Sequence, residues 1–304
     1  MALSVSTLTA YVDETSDIVR KAILKGNTPS LVTVIPGIKS SKTINQLSSS
    51  MALYAGGSCG AFVNSGTTLL NQVTVTVTDI TGTESICLQT LEDYYTQTMM
   101  KAGSYNEEIP FEEVFVEDRI AYLSKEIDRQ IWQGNKSTGS GNLALVDGIL
   151  AYVDSAAISG ACVNVTASAF TVANAVEVVN TLVSNIPSDV ADAEDLTLFV
   201  SHSQFQLYLL GLTAKNWFHF TPEFNLNDGI IHPGSSVKVM PVTGLVGSTR
   251  HILTPAANVI VGTDLMNDFE AFDMWYERKD DAVDLRVKYK LDALVQVPAF
   301  TVVN

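Results

Sequence analysis

The chain has 304 residues, about twice the commonest single-domain size, with 46% hydrophobic and 17% charged residues and a mean hydropathy of +0.20. This excludes a disordered, collagen-like or coiled-coil chain and leaves ample apolar material for a core. Thirty-three acidic against eighteen basic residues give a net charge of −15, which argues against nucleic-acid binding through bulk phosphate neutralisation, since that needs clustered Lys and Arg.

The opening stretch MALSVSTLTAYVDETSD has no basic residue before Arg20 and no apolar run of the kind a secretory signal carries, so a cytoplasmic protein is expected. No apolar stretch approaches the roughly 18 residues of a bilayer span, and no membrane association is expected. Residues 1–41 alternate short apolar runs with Pro29, Pro36 and several Gly and Ser, a pattern too broken for a stable isolated element. They are expected to form an extended arm that is ordered by partners and can be removed without loss of the fold. Residues 1–47 carry five basic and three acidic residues, net +2, which leaves −17 on the rest.

From Ser40 to Thr90 the composition shifts to Ser, Thr, Gly and Val. Gln72 to Thr78 alternates with a period of two, which predicts a half-buried strand, and Asn64-Ser65-Gly66 supplies a turn before it. A long two-stranded hairpin follows from this, and a lone hairpin is marginal in water unless it lies against something else. Asp79-Ile80-Thr81-Gly82-Thr83 has the outline of a phosphorylated-aspartate motif, but Ile stands where Lys is needed; a Thr-Gly turn ending the strand is expected instead.

Leu91 to Lys101 predicts a short helix closed by Gly103. The clearest helix runs from about Pro110 to Gln133, with Val116, Ile120, Leu123, Ile127 and Ile131 on one stripe. Pro110 suits its first turn, Glu107, Glu108, Glu112, Glu113, Glu117 and Asp118 favour its amino end, and Gly134 stops it. Its length is roughly 33 Å.

After a Gly/Ser loop from Asn135 to Asn142, Thr171 is expected to cap a helix with the stripe Val172, Val176, Val179 and Val183, halted before Pro187. Leu196 to Val200 predicts a strand. Ser201 caps the next helix, from about His202 to Leu212, which buries Phe205, Tyr208, Leu209 and Leu212. The last third is strands: Val237 to Met240, Asn258 to Val261, Phe272 to Tyr276 and Val283 to Leu291. In the last of these Val283, Leu285, Val287, Tyr289 and Leu291 alternate with Asp284, Arg286, Lys288 and Lys290, one face buried and one wet. The fold class is α+β, without internal repeats.

Chemistry is sparse. Cys59, Cys87 and Cys162 form no C-x-x-C pair and are expected to be buried thiols. Asn135-Lys136-Ser137 and Asn164-Val165-Thr166 fit the glycosylation sequon but are expected as plain loop residues. Ser201-His202-Ser203 places a nucleophile next to an imidazole, yet adjacent side chains at a helix start diverge, so a cap is expected. His202, His219, His232 and His251 lack the short spacing of a zinc site. Asp264, Asp268, Glu270, Asp273, Asp280, Asp281 and Asp284 lack the glycine and spacing of a calcium loop. Gly56-Gly57-Ser58-Cys59-Gly60 is no phosphate-binding loop. No catalytic, cofactor-binding or metal-binding residue is assigned, and no cofactor or enzymatic activity is expected.

The order of pieces, arm, long hairpin, strut helix, Gly-rich loop, central α/β unit and terminal strands, resembles the major capsid proteins of tailed double-stranded DNA phages, the HK-ninety-seven type. The resemblance covers nearly the whole chain. It is carried by Ile131-Trp132-Gln133-Gly134-Asn135 through Gly139-Ser140-Gly141 to Val146-Asp147-Gly148-Ile149, by Phe199-Val200-Ser201, by Pro233 to Pro241, by Leu253 to Asp264 and by Phe272 to Leu291. It implies an N-arm at 1–41, an extended E-loop at 42–87, a P-domain at 88–164 and 256–304 with the spine helix at about 110–133, and an A-domain at 165–255.

It also implies self-assembly into hexamers and pentamers of an icosahedral virion shell built in the host cytoplasm. Portal, scaffold and decoration proteins would be partners, and DNA would be enclosed without sequence-specific binding. The family archetype joins an E-loop lysine to a neighbour's asparagine, but no Lys or Arg occurs here between Lys42 and Lys101, so that cross-link is not expected. An encapsulin-like compartment shell shares the fold and stays open as an alternative, and a soluble hydrolase using Ser201 and His202 is a third reading.

Overall fold

The structure is a computed structural model that describes residues 27–50, 66–87, 111–215, 229–264, 272–277, 279 and 282–304, with the backbone alone for 27, 111–118, 120, 272–274 and 276. In chain order the principal elements are α1 (Asn27–Leu31), β1 (Thr33–Ile35), β2 (Ser41–Ser50), β3 (Thr67–Thr76), β4 (Thr78–Cys87), α2 (Phe111–Gln133), α3 (Ile149–Ile158), β5 (Val163–Asn164) and α4 (Ala175–Ser184). They continue with β6 (Leu196–Val200), α5 (His202–Ala214), β7 (Ile230–Ile231), β8 (Lys238–Pro241), β9 (Ile252–Pro255), β10 (Val259–Thr263), β11 (Phe272–Glu277), β12 (Ala282–Val295) and β13 (Val302–Val303).

Two sheets carry the body. The first is organised on β12, whose Leu291 pairs with Thr263 of β10 and Thr78 of β4, while its Val283 pairs with Tyr276 of β11 and Ile86 of β4. Thus β10 and β11 share one edge of β12 and β4 takes the other; β1 adds to β10 in parallel. The second sheet runs β5-β13-β9-β6-β8-β7. Among the described residues, β2 and β3 pair with each other and with no other strand.

The cores follow the periodicities. Leu285, Val287, Tyr289 and Leu291 are buried against Ile127, Ile131 and Trp132 of α2 and Ile149 and Val153 of α3, while Asp284, Arg286, Lys288 and Lys290 on the opposite face are only half-buried. A second core packs Val176, Val179 and Leu182 of α4 and Phe205, Tyr208 and Leu212 of α5 on Leu198, Val239 and Leu253. β6 is buried at all five positions because its alternate side chains serve both cores: Leu198 faces α4 and α5, and Phe199 lies 4.9 Å from the Trp132 ring. A third, small cluster of Ile38, Val75, Ile260 and Leu294 sits where the hairpin leaves the body.

The long helix runs from Phe111, and Leu123, Ile127 and Ile131 face the core; the side chains of Val116 and Ile120 fall outside the described residues. Gly134 ends the helix where any β-carbon would collide with the carbonyls of Gln130 and Val146. The following loop is folded by Asn135, whose Oδ1 accepts from the amides of Ser137 and Thr138 and from the Ser137 hydroxyl.

Four expectations are corrected. Residues 27–38 are not a detached arm: β1 lies on β10, Ile38 is buried, and Leu31, Val32 and Val34 pack on the first core. Thr28 is buried too, accepting from the Trp132 indole at 2.7 Å and donating its amide to Asp128 at 3.3 Å. The signal for a broken arm, Pro and Gly punctuation, reports local irregularity and is blind to docking on a distant helix. The segment Asp79 to Thr83 is the middle of β4, with Gly82 opposite Val287, because β12 supplies a ladder that overrides the Thr-Gly turn preference.

Thr171 opens a turn four residues before α4. Its hydroxyl accepts from the Asn174 amide and the Asn174 side chain accepts from Thr171 N, so the helix begins at Ala175 and Val172 is exposed. Cys87 is exposed at the end of β4, whereas Cys162 is buried as expected. The helix expected at Leu91 to Lys101 lies outside the described residues, as do Cys59 and Gly56 to Gly60.

Candidate assembly interface

The most distinctive surface is the β2–β3 hairpin. Ten residues pair with ten, from Ser41 opposite Thr76 to Ser50 opposite Thr67, and the only charged side chain among the twenty is Lys42. Side chains opposite each other share a face. Val73 and Val75 with Ile44 lie toward the body; farther out the hairpin leaves it, and Leu47 and Leu70, a directly opposed pair, are 70% and 67% exposed. Leu69, on the other face, is 62% exposed. Three leucines in water on a hairpin with a single charged side chain is the composition of a contact surface. The alternation from Gln72 to Thr78 is half-buried as expected, with Val73, Val75 and Val77 toward the body and Gln72, Thr74 and Thr76 exposed; the exposed leucines lie outward of it.

The root of this hairpin is fixed with care. β3 continues into β4 through the single residue Val77, whose amide bonds to the Ser40 carbonyl at 3.0 Å, so one extended stretch passes from hairpin to body and changes partner there. Asp264, at the end of β10, is buried and lies 3.3 Å from the Lys39 ammonium and 3.5 Å from that of Lys290. Lys290 also donates to the Lys39 carbonyl and pairs with exposed Asp79. Asp292 accepts from the Thr76 amide at 2.8 Å. Burial pushes the Asp292 carboxyl up, and the Thr76 and Ala293 amides and Lys136 pull it part of the way back. Lys136 meanwhile bonds to Thr78 at 3.1 Å, tying the Gly/Ser loop to the same junction. Beyond the root, the hairpin is held by Gln46 donating to the Gln296 carbonyl, beside an open groove of about 500 Å³ whose walls include Leu47, Val190, Pro255 and Phe300.

The residues weighed for chemistry are occupied otherwise. Ser201 is buried and caps α5, its hydroxyl accepting from the Gln204 amide at 3.4 Å and lying 3.1 Å from the Ser203 hydroxyl. His232 is buried between the Tyr208 hydroxyl and the Asn180 side-chain Oδ1, at 2.7 and 2.8 Å, and burial pushes its imidazole down. His251 is buried against Phe170 and Asn304. His219 lies outside the described residues. Of the acidic run, Asp264 turns inward to its two lysines and Asp284 lies along β12 opposite Trp275. Among the described residues no group of three or more His, Cys, Asp or Glu could hold a metal ion, and no helix is long and apolar enough to cross a membrane.

Sequence reasoning missed the ionic root. Lys39, Asp264 and Lys290 are far apart in the chain, and no local pattern announces that they meet; the only hint was an acidic residue directly following an apolar strand.

No family model matches this chain, and no curated protein matches it. Solved structures do match its fold. The procapsid of satellite phage P4 with its size-determination protein aligns at 13% identity and a TM-score of 0.57, over 95% of this chain and 98% of that one. The capsid of Myoviridae phage XM1 aligns at 12% identity and 0.57, over 93% and 90%. A virus-like particle from Pyrococcus furiosus aligns at 11% identity and 0.51, over 96% and 98%.

Proposed function

Because the chain has the α+β fold of tailed-phage major capsid proteins, we propose that it is a shell subunit that assembles with copies of itself into hexamers and pentamers of an icosahedral capsid enclosing double-stranded DNA. The observation that carries this is the hairpin: a surface nearly free of charge with leucines in water, held at its root by apolar packing and three carboxylates, is suited to be covered by a neighbour. Residues 42–87 then serve as the E-loop, 88–164 and 256–304 as the P-domain with α2 as spine, and 165–255 as the A-domain. The N-arm is proposed to end at Gly26 instead of Ser41, since residues 27–38 pack on the body. Portal, scaffold and decoration proteins are the further partners of such a shell, which would be assembled in the host cytoplasm. The acidic body, −17 over residues 48–304, repels packaged DNA and lets it slide.

The test is electron microscopy of the purified chain and of a Leu47→Asp, Leu70→Asp double variant. Closed shells from the wild type and free capsomers from a folded variant are expected. A wild-type chain that stays monomeric at every concentration, or a variant that still closes shells, overturns the reading.

A second reading is a protein compartment shell of the same fold without DNA; the Pyrococcus furiosus virus-like particle shares that fold. Nuclease-protected DNA inside particles from infected cells supports the first reading; a co-purifying cargo protein in DNA-free shells supports the second.

A further inference from the structure

His251 lies where the two large cores meet. The next residue, Ile252, belongs to the first core and Leu253 to the second; on the paired strand β13, Val303 belongs to the first and Val302 to the second. The imidazole is fully buried. On one side it stacks on Phe170, ring centroids 4.0 Å apart and planes 16° apart, and the Phe170 amide is itself held by the Gln204 side chain of α5 at 2.8 Å.

On the other side stands Asn304, and its orientation is fixed: Nδ2 donates to the Ala167 carbonyl at 3.0 Å, which turns Oδ1 toward His251. That oxygen accepts from the His251 main-chain amide at 3.1 Å and from Nδ1 at 3.0 Å. Since Oδ1 can only accept, Nδ1 carries the ring hydrogen and Nε2 keeps a bare lone pair, buried and without a hydrogen-bond partner among the described residues.

We propose that His251 is an acid-opened latch: as a neutral ring it clamps the 165–170 segment and β13 across the junction of the two cores, and on taking up a proton it releases them. A proton at Nε2 would create a buried N–H without an acceptor and a charge without a partner, which the closed arrangement does not tolerate. The charged groups nearby make this worse. Arg250 precedes it and is ion-paired with Asp154 of α3, while the two side chains that meet the ring, Phe170 and Asn304, are not titratable.

Burial, followed by the Arg250 charge and opposed by the Asn304 bond, lowers the closed-state imidazole to about 4, against an ordinary value near 6.5 in an opened segment. The closed form therefore binds its proton less readily than the open one. Opening is favoured tenfold more per pH unit as pH falls below 6.5 and levels off near 4, at about 300-fold in all. The buried acids Asp128 and Asp292 are shifted up, so on acidification they favour the closed state and cannot be the source of the effect. The latch is independent of whether the chain builds a shell.

Hydrogen exchange of the full-length subunit, corrected for intrinsic rates, reads the opening directly. Amides of 165–170 and 302–304 are expected to show an opening constant about 60-fold larger at pH 4.5 than at pH 7. His251→Phe, which preserves the ring stack without a titratable nitrogen, should abolish that pH dependence. Should this variant fail to fold, the wild-type His251 ring carbon–proton NMR signal is followed instead, with a midpoint near 4 expected. A pH-independent opening constant in the wild type, an unchanged slope in a folded His251→Phe, or an ordinary midpoint near 6.5 overturns the proposal.

Discussion

β3 and β6 are both strands, and they use their side chains in opposite ways. β6, Leu196–Val200, is buried at every position and is satisfied within the subunit, because β8 and β9 pair on both of its edges and cores lie on both of its faces. β3, Thr67–Thr76, has a single paired edge among the described residues, toward β2, and only its Val75 is buried. The first contributes to the stability of one chain. The second leaves its leucines in water, the surface proposed above to be covered by a neighbouring subunit, and what links the two regimes is the short root at Ile38, Val75 and Asp264.

The sharpest way to break the comparison is at that root. Deleting residues 1–38 removes Ile38, the β1 pairing and the Thr28 bonds to Trp132 and Asp128, so the subunit is expected not to fold, whereas deleting 1–26 should leave circular dichroism and the thermal midpoint of the subunit unchanged. A 1–38 truncation that folds as well as the 1–26 truncation would show that 27–38 is an arm after all. Next in size, Leu198→Ala in β6 should lower subunit stability by about 2–5 kcal/mol in urea unfolding, from lost burial and a cavity between α4 and α5, while Leu70→Ala in β3 should change it by less than about 0.5 kcal/mol yet reduce shell yield.

Thr28→Ala leaves the Trp132 indole nitrogen without its acceptor in a buried site, and about 1–3 kcal/mol of destabilisation is expected by denaturant titration, with Thr28→Ser restoring most of it. Smallest is the cap: Ser201→Ala should cost about 1 kcal/mol, and Ser201→Asp should recover it, a pattern that a nucleophile's loss would not follow.

Boiling assembled particles in detergent adds a covalent check on the outer regime. With no Lys or Arg between Lys42 and Lys101, a single band near 32.8 kDa is expected, and a ladder that survives reductant would contradict it.

The sequence by itself determined what short-range periodicity can encode. The span of α2, the bounds of β6, the Ser201 cap and the two faces of β12 follow from residues within a turn or two of one another, and hydrophobic burial acts on that local pattern directly. Only the tertiary structure decided that Asp79 to Thr83 is strand, because β12 supplies its ladder, and that Thr28 docks on Trp132, because the bond spans 104 positions. The same holds for Asp264 between Lys39 and Lys290 and for the turn of Asn304 that leaves His251 with a bare nitrogen. Hydrogen bonds and ion pairs depend on ångström-scale placement of groups that chain folding alone brings together, and a linear pattern carries no record of that distance.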